Sequence, residues 1–177
     1  YIAYTFKKAE KFFDVVTYTG NGSNRTISHS LNCVPGMIWV KKRLGSDYNY
    51  GNWKVYHRFA DSGESNSGNF SSNLDTTDAF VNTDSTVWNN TMATTTQFSV
   101  GTNIAVNQLN STYVAYLFAH DTSASSKIKM GYWNISHGSI QSPTTFGWEA
   151  DFCMVKRKET ADRWFVFDYD RGWGLEN

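Results

Sequence analysis

The chain has 177 residues, and its 16 lysines and arginines balance 16 aspartates and glutamates, so it carries no formal net charge. That balance argues against nucleic acid or an anionic lipid surface as main partner, and no apolar run is long enough for membrane insertion as a helix. Leu, Ile, Val and Phe fill only about a fifth of the chain, but aromatic residues reach 16% without excess charge, which excludes a disordered polymer and points to an aromatic, β-branched core.

In chain order, short alternating or β-branched runs predict strands at Tyr1 to Phe6, Phe12 to Thr19, Met37 to Lys42, Trp53 to Phe59 and Gln97 to Val100. Others follow at Tyr113 to Phe118, Ile128 to Trp133, Phe152 to Val155 and Trp164 to Phe167. Clusters of Gly, Asn, Asp and Ser separate them. Asn, Ser and Thr fill 16, 18 and 18 positions, and such short hydrogen-bonding side chains favour turns and strand faces over helix interiors. Only a helical turn near Thr76 to Phe80 is predicted. Alternation sends Trp53, Val55 and His57 to one face and Lys54, Tyr56 and Arg58 to the other. Both faces carry apolar bulk, so the predicted fold is all-β: a two-sheet β-sandwich, jelly-roll-like, with an internal duplication.

The duplication is read from three matches in the same order. Tyr1-Ile-Ala-Tyr-Thr-Phe6 matches Tyr113-Val-Ala-Tyr-Leu-Phe118 at an offset of 112, Met37 to Arg43 matches Phe152 to Lys158 at 115, and Trp53-Lys-Val-Tyr56 matches Trp164-Phe-Val-Phe167 at 111. The chain then reads as one domain, residues 1–177, with pseudo-repeats 1–58 and 113–170 and a loop-rich insertion at 59–112. Alternatively it is cut from a tandem array of such units, with Tyr1 to Phe6 as the tail of one unit and Ile128 to Asn177 as the head of the next. Opening on Tyr1 rather than Met agrees with a piece of a longer protein.

Catalytic patterns are sparse. No GxSxG elbow occurs, and His29, His57, His120 and His137 are unpaired in sequence, so neither a nucleophilic triad nor a zinc site is expected. Asp168-Tyr-Asp170-Arg-Gly172 lacks the third acid of a calcium loop, so no metal and no cofactor is expected. Asp14, Asp75, Asp78, Asp84, Glu149, Asp151, Asp168 and Asp170 offer carboxylates for glycoside hydrolysis, but no spacing singles out a pair. Tyr18-Thr-Gly-Asn-Gly22 lacks the lysine of a phosphate cradle and reads as a tight hairpin turn at Asn21-Gly22. Cys33 and Cys153 are expected as free thiols. Among loop residues, Tyr48, Asn49 and Tyr50 together with Trp88, Asn89 and Asn90 are the best exposed candidates for stacking on and hydrogen bonding a glycan. Six sequons, at Asn21, Asn24, Asn69, Asn89, Asn110 and Asn134, are candidate glycosylation acceptors.

Phe12 to Gly22, then Arg25-Thr-Ile-Ser-His29-Ser-Leu31, then Val34 to Arg43 resemble a β-rich domain of uncharacterised function found in marine phage and cyanophage tail-fibre and virion-surface proteins. Trp53 to His57, Tyr113 to His120 and Trp164 to Asp168 fit the same pattern. The second half departs from it, having Gly147-Trp-Glu-Ala150 where the first has His29 and Pro35. The resemblance implies a homotrimer or higher assembly on the virion surface, in contact with other virion proteins and a host surface glycan. It implies no catalytic residues. The expected function is therefore that of a phage virion surface or tail-fibre structural protein contributing to host attachment, and not an enzyme. The alternatives are a polysaccharide-degrading fibre, acting as a glycoside hydrolase or lyase, and a glycan-binding or structural module of a cellular extracellular appendage.

Overall fold

The computed structural model describes residues 5–44, 51–62, 65–82, 85–136, 139–141 and 147–169. Their fold is all-β. The strands are β1 (Phe13–Thr19), β2 (Arg25–Ser28), β3 (Pro35–Leu44), β4 (Lys54–His57), β5 (Phe70–Asn73), β6 (Val81–Asn82), β7 (Gln97–Val100), β8 (Thr112–Ala119), β9 (Asn134–Ser136), β10 (Ser139–Gln141), β11 (Phe152–Val155) and β12 (Phe165–Asp168). Two helical turns, α1 (Ser85–Trp88) and α2 (Ile104–Asn107), flank β7. A six-stranded sheet in the order β1-β8-β3-β4-β5-β6, antiparallel throughout, forms the frame, with two-stranded sheets β2-β7, β9-β10 and β11-β12 beside it.

The period of two along the strands builds a core on each face of this frame. Ile38 and Val40 of β3, Tyr56 of β4, and Tyr113, Ala115 and Leu117 of β8 face one side. There Ile27 of β2, Phe98 and Val100 of β7, Val87 and Trp88 of α1, and Val106 of α2 close over them. Met37, Val55, Phe13 and Phe118 face the other side, against Leu74, Phe80, Met130 and Trp164. Lys42 continues the first face: its buried stem extends that core, and its ammonium donates to Gln108 Oε1. The carbonyls of α2 are satisfied by tyrosines of the frame, Tyr18 Oη donating to Val106 at 2.7 Å and Tyr113 Oη to Ile104 at 2.6 Å.

Several expectations need correcting. Tyr18 to Gly22 is no hairpin, since β1 pairs with β8 and β2 with β7. The turn carries the chain from one sheet to the other, and only Gly22, φ +72°, takes the left-handed conformation there. Gly20 is required for closeness, because a Cβ on it would lie 2.2 Å from the Gln108 carbonyl oxygen. Thr76 to Phe80 forms no helical turn. Asp78 accepts from Thr76 Oγ1 at 2.6 Å and Asn73 Nδ2 at 2.9 Å, and this side-chain network takes the place of helical bonds. Among the described residues the helical turns stand instead at α1, at α2 and at a 3-10 turn, Ser67–Asn69. Ile128 to Trp133 is not a strand either: Ile128 and Met130 pack on the core while His120 Nδ1 accepts the Met130 N–H at 3.3 Å. The 59–112 stretch supplies β5 to the frame and β7, α1 and α2 to the layer above it. Of the segment Tyr1 to Phe6, the first four residues lie outside the described residues.

Candidate functional site

The corner between the two sheets is organised by one buried side chain. Asn107, at the end of α2, is 0% exposed, and its Nδ2 donates to the carbonyls of Ser23 and Gly101, both at 2.7 Å, and to Asn21 Oδ1 at 3.2 Å. Its Oδ1 accepts the Asn21 N–H at 3.0 Å. One amide thus holds the β1–β2 turn, the end of β7 and α2 together. α2 is itself started by Asn103, whose side chain accepts from the Ala105 N–H at 2.9 Å.

The surface over this knot is rich in amides. Asn21, Asn24, Asn90 and Asn110 are exposed, and Asn24 Nδ2 donates to the half-buried Asn89 Oδ1 at 2.7 Å. Asn89, Asn90 and Asn110 have φ of 53°, 48° and 63°, a left-handed conformation that asparagine tolerates better than most residues. At the end of α1 the paired left-handed residues Asn89 and Asn90 turn the chain outward and stop the helix. Amides both donate and accept, as sugar hydroxyls do, so a cluster of them suits neutral carbohydrate.

Trp88 does not belong to that surface. It was expected to be exposed among loop residues, but it is 1% exposed, with its ring edge-on to Tyr56 at 5.9 Å, so no sugar can stack on it. Its loop-like neighbours misled because the helical turn is short: two residues beyond a core tryptophan the chain is already at the surface. Asn89 and Asn90 do lie at the corner, and Tyr48, Asn49 and Tyr50 lie outside the described residues. Sequence reasoning missed that Asn24 bonds Asn89, that Asn21 bonds Asn107 and that Asn110 bonds the Gly20 carbonyl at the same turn. The signal was the sequon pattern, which marked four of these asparagines without showing that they converge.

The histidines are engaged locally. His29 Nδ1 accepts from the Leu31 N–H at 3.3 Å and His57 Nδ1 from the Phe59 N–H at 3.2 Å. His57 and His120 share an aromatic pocket around Phe59, with Phe80 edge-on to His57. Among the described residues no cluster of three His, Cys, Asp or Glu side chains suits a metal ion. The carboxylates are mostly turn and cap acceptors. Asp14 is buried, 2.7 Å from Lys8 Nζ, and accepts from the Ser30 and Val15 N–H groups at 2.7 and 2.8 Å. Burial pushes its carboxyl up, but the Lys8 ammonium and these N–H groups outweigh that and leave it below the ordinary range. Asp75 accepts from the Trp53 N–H, and Asp168 is buried in β12. Asp84, His137 and Asp170 lie outside the described residues.

Burial in the pocket pushes His57 down to about 4, and the neighbouring His120 adds to the shift. Its folded pKa then lies below the unfolded value of about 6.5, so its neutral form is what folding favours. The stability it supports is complete above about pH 6.5 and is lost as pH falls toward 4, at up to about 1.4 kcal/mol per pH unit. His57→Phe is therefore expected to flatten the fall in Tm between pH 6.5 and 4.5. Parallel Tm curves for variant and parent would show that His57 does not titrate this way.

Residues 5–174 match the sequence profile of a family described as a domain of unknown function, DUF7483. No curated protein and no solved structure matches the chain. Because the match takes in both sheets and the asparagine corner, the chain belongs to the DUF7483 family, a β-rich domain of unknown function.

Proposed function

We propose that this domain is a non-enzymatic structural module of a phage virion surface or tail fibre that contributes to host attachment. Its partners are other virion proteins, further copies of itself in a trimer or higher assembly, and glycan on the host surface. The observation that carries this reading is the corner at which Asn21, Asn24, Asn89, Asn90 and Asn110 gather on a chain of no net charge. A cluster of neutral amides meets sugar hydroxyls one hydrogen bond at a time, each worth about 1 kcal/mol net, so a single site is weak and useful adhesion needs repetition. The resemblance of Phe12 to Arg43 to phage fibre domains supports the virion setting.

The test is to immobilise envelope polysaccharides and compare a trimeric fusion of the chain with its Asn24→Ala/Asn90→Ala variant. Both positions are exposed, and the variant is expected to remain folded with a loss of about 1 to 2 kcal/mol at Asn90, whose φ of 48° alanine tolerates less well than asparagine. Binding is expected to fall, and neither protein is expected to release reducing ends. Release of reducing ends would favour the polysaccharide-degrading fibre instead. The sequons favour a second reading: Asn21, Asn24 and Asn110 are exposed, as a glycan-modified module of a cellular appendage requires. Glycans found on these residues by mass spectrometry of the native protein would select it.

A further inference from the structure

We propose that Asn21 is a latent site of spontaneous backbone modification, conversion to aspartate and isoaspartate through a cyclic imide, and that Asn107 is the latch that holds the reaction off while the corner is closed. The inference stands independently of the glycan reading.

The sequence supplies the reactants. Asn21-Gly22 is the one Asn-Gly pair in the chain. In such a pair the main-chain nitrogen of the second residue attacks the side-chain amide carbon of the first, and glycine has no Cβ to obstruct the approach. The bond between Gly22 N and Asn21 Cγ forms as that nitrogen gives up its proton, the Cγ–Nδ2 bond breaks, and the Asn21 amide nitrogen leaves as ammonia. Water then opens the five-membered imide, giving aspartate by attack at one carbonyl and isoaspartate by attack at the other. Asn21 is exposed, so water reaches the site.

The fold withholds the nucleophile. Asn107, 0% exposed, bonds all three residues of the turn. Its Oδ1 accepts the Asn21 N–H at 3.0 Å and its main-chain carbonyl accepts the Gly22 N–H at 2.9 Å. Its Nδ2 donates to the Ser23 carbonyl at 2.7 Å and to Asn21 Oδ1 at 3.2 Å. The Ser23 N–H is a second donor to Asn21 Oδ1, at 3.0 Å. Two donors on that oxygen polarise the amide and favour attack on its carbon. The attacking nitrogen, however, is committed to the Asn107 carbonyl through the very proton it must lose. Ring closure turns Gly22 N toward Asn21 Cγ and so breaks that bond. The backbone before the turn cannot swing to help, since the Gly20 N–H donates to the Ser111 carbonyl at 2.8 Å and the Gly20 carbonyl accepts the Asn110 N–H at 3.0 Å. The rate of conversion then follows the fraction of time the corner spends open.

The two products differ in what they allow afterwards. Aspartate keeps an oxygen that accepts from Ser23 and Asn107, so that product can close the corner again. Isoaspartate routes the main chain through the former side chain and lengthens it by one methylene between residue 21 and Gly22. The N–H groups of both residues then cannot reach Asn107 together, and the corner stays open.

The test is to hold the chain in warm, mildly alkaline buffer and to follow aspartate and isoaspartate at position 21 in the tryptic peptide Phe12 to Arg25, where Asn24, followed by arginine, serves as internal reference. Conversion is expected to be slow in the folded chain and about a hundredfold faster in guanidinium, which removes the corner. Asn107→Leu keeps the main-chain carbonyl but loses the side-chain bonds that hold the turn against it, and the folded variant is expected to convert about tenfold faster than the parent or more. Asn107→Ser takes its place where Asn107→Leu does not fold. Val55→Ala lowers stability on the opposite face of the frame and is expected to leave the rate at Asn21 unchanged. Equal rates in the folded and unfolded parent, a folded Asn107 variant that converts no faster, or an equal acceleration by Val55→Ala would each overturn the proposal.

Discussion

Replacing Trp88 with alanine is expected to cost about 3 to 5 kcal/mol, read as a lower midpoint in urea. The side chain is 1% exposed in the layer that joins α1 and β7 to the frame, so its removal leaves a cavity beside Tyr56 that the short surrounding elements cannot fill by collapse. Trp88→Phe is expected to cost much less. The indole Nε1 is buried with no hydrogen-bond partner among the described residues, a state that costs about 1 to 3 kcal/mol, and phenylalanine removes that N–H while keeping most of the ring. Equal losses in the two variants would mean that the retained phenyl ring does not fill the site.

Asn107→Leu is expected to cost about 3 kcal/mol or more. The substitution keeps the volume but leaves the carbonyls of Ser23 and Gly101 and the N–H of Asn21 without the amide that now satisfies them, at about 1 to 3 kcal/mol for each group that stays buried. Asn107→Asp is expected to be no better, since it retains the acceptor for Asn21 but turns a second oxygen toward two carbonyls. Because Asn107 also sets the position of Asn21, hydrogen exchange at Gly22 and Ser23 is expected to accelerate before global unfolding does. Unchanged exchange at this turn would show that the corner is held by the strands alone.

How much of this was legible in the sequence depended on whether neighbours or distant partners decide a residue's state. β7 and β11 were bounded correctly, and β1, β3, β4, β8 and β12 were found to within a few residues, because alternation and β-branching are local signals. The short strands β2 and β5 were missed, since Arg25–Ser28 and Phe70–Asn73 each hold a single large apolar residue and become strands only by pairing with β7 and β4. Ile128 to Trp133 shows the converse: its apolar residues are spent on packing Ile128 and Met130 into the core rather than on a ladder. In the candidate site, Asn89 and Asn90 lie at the surface corner beside a tryptophan that is part of the core. Asn107 carried no signal at all. Its role comes from converging Asn21, Ser23 and Gly101, two of them more than 80 residues away in sequence, and nothing in the residues around it distinguishes it from the other asparagines.

The central claim, that attachment arises from weak contacts repeated across an assembly, is tested most directly by comparing the affinity of the monomer with that of a trimeric fusion for one immobilised host polysaccharide. The account predicts poor binding by the monomer and binding tighter by about a hundredfold or more for the trimer, from effective concentration alone. Equal affinity of the two forms, or no binding by either, would contradict it.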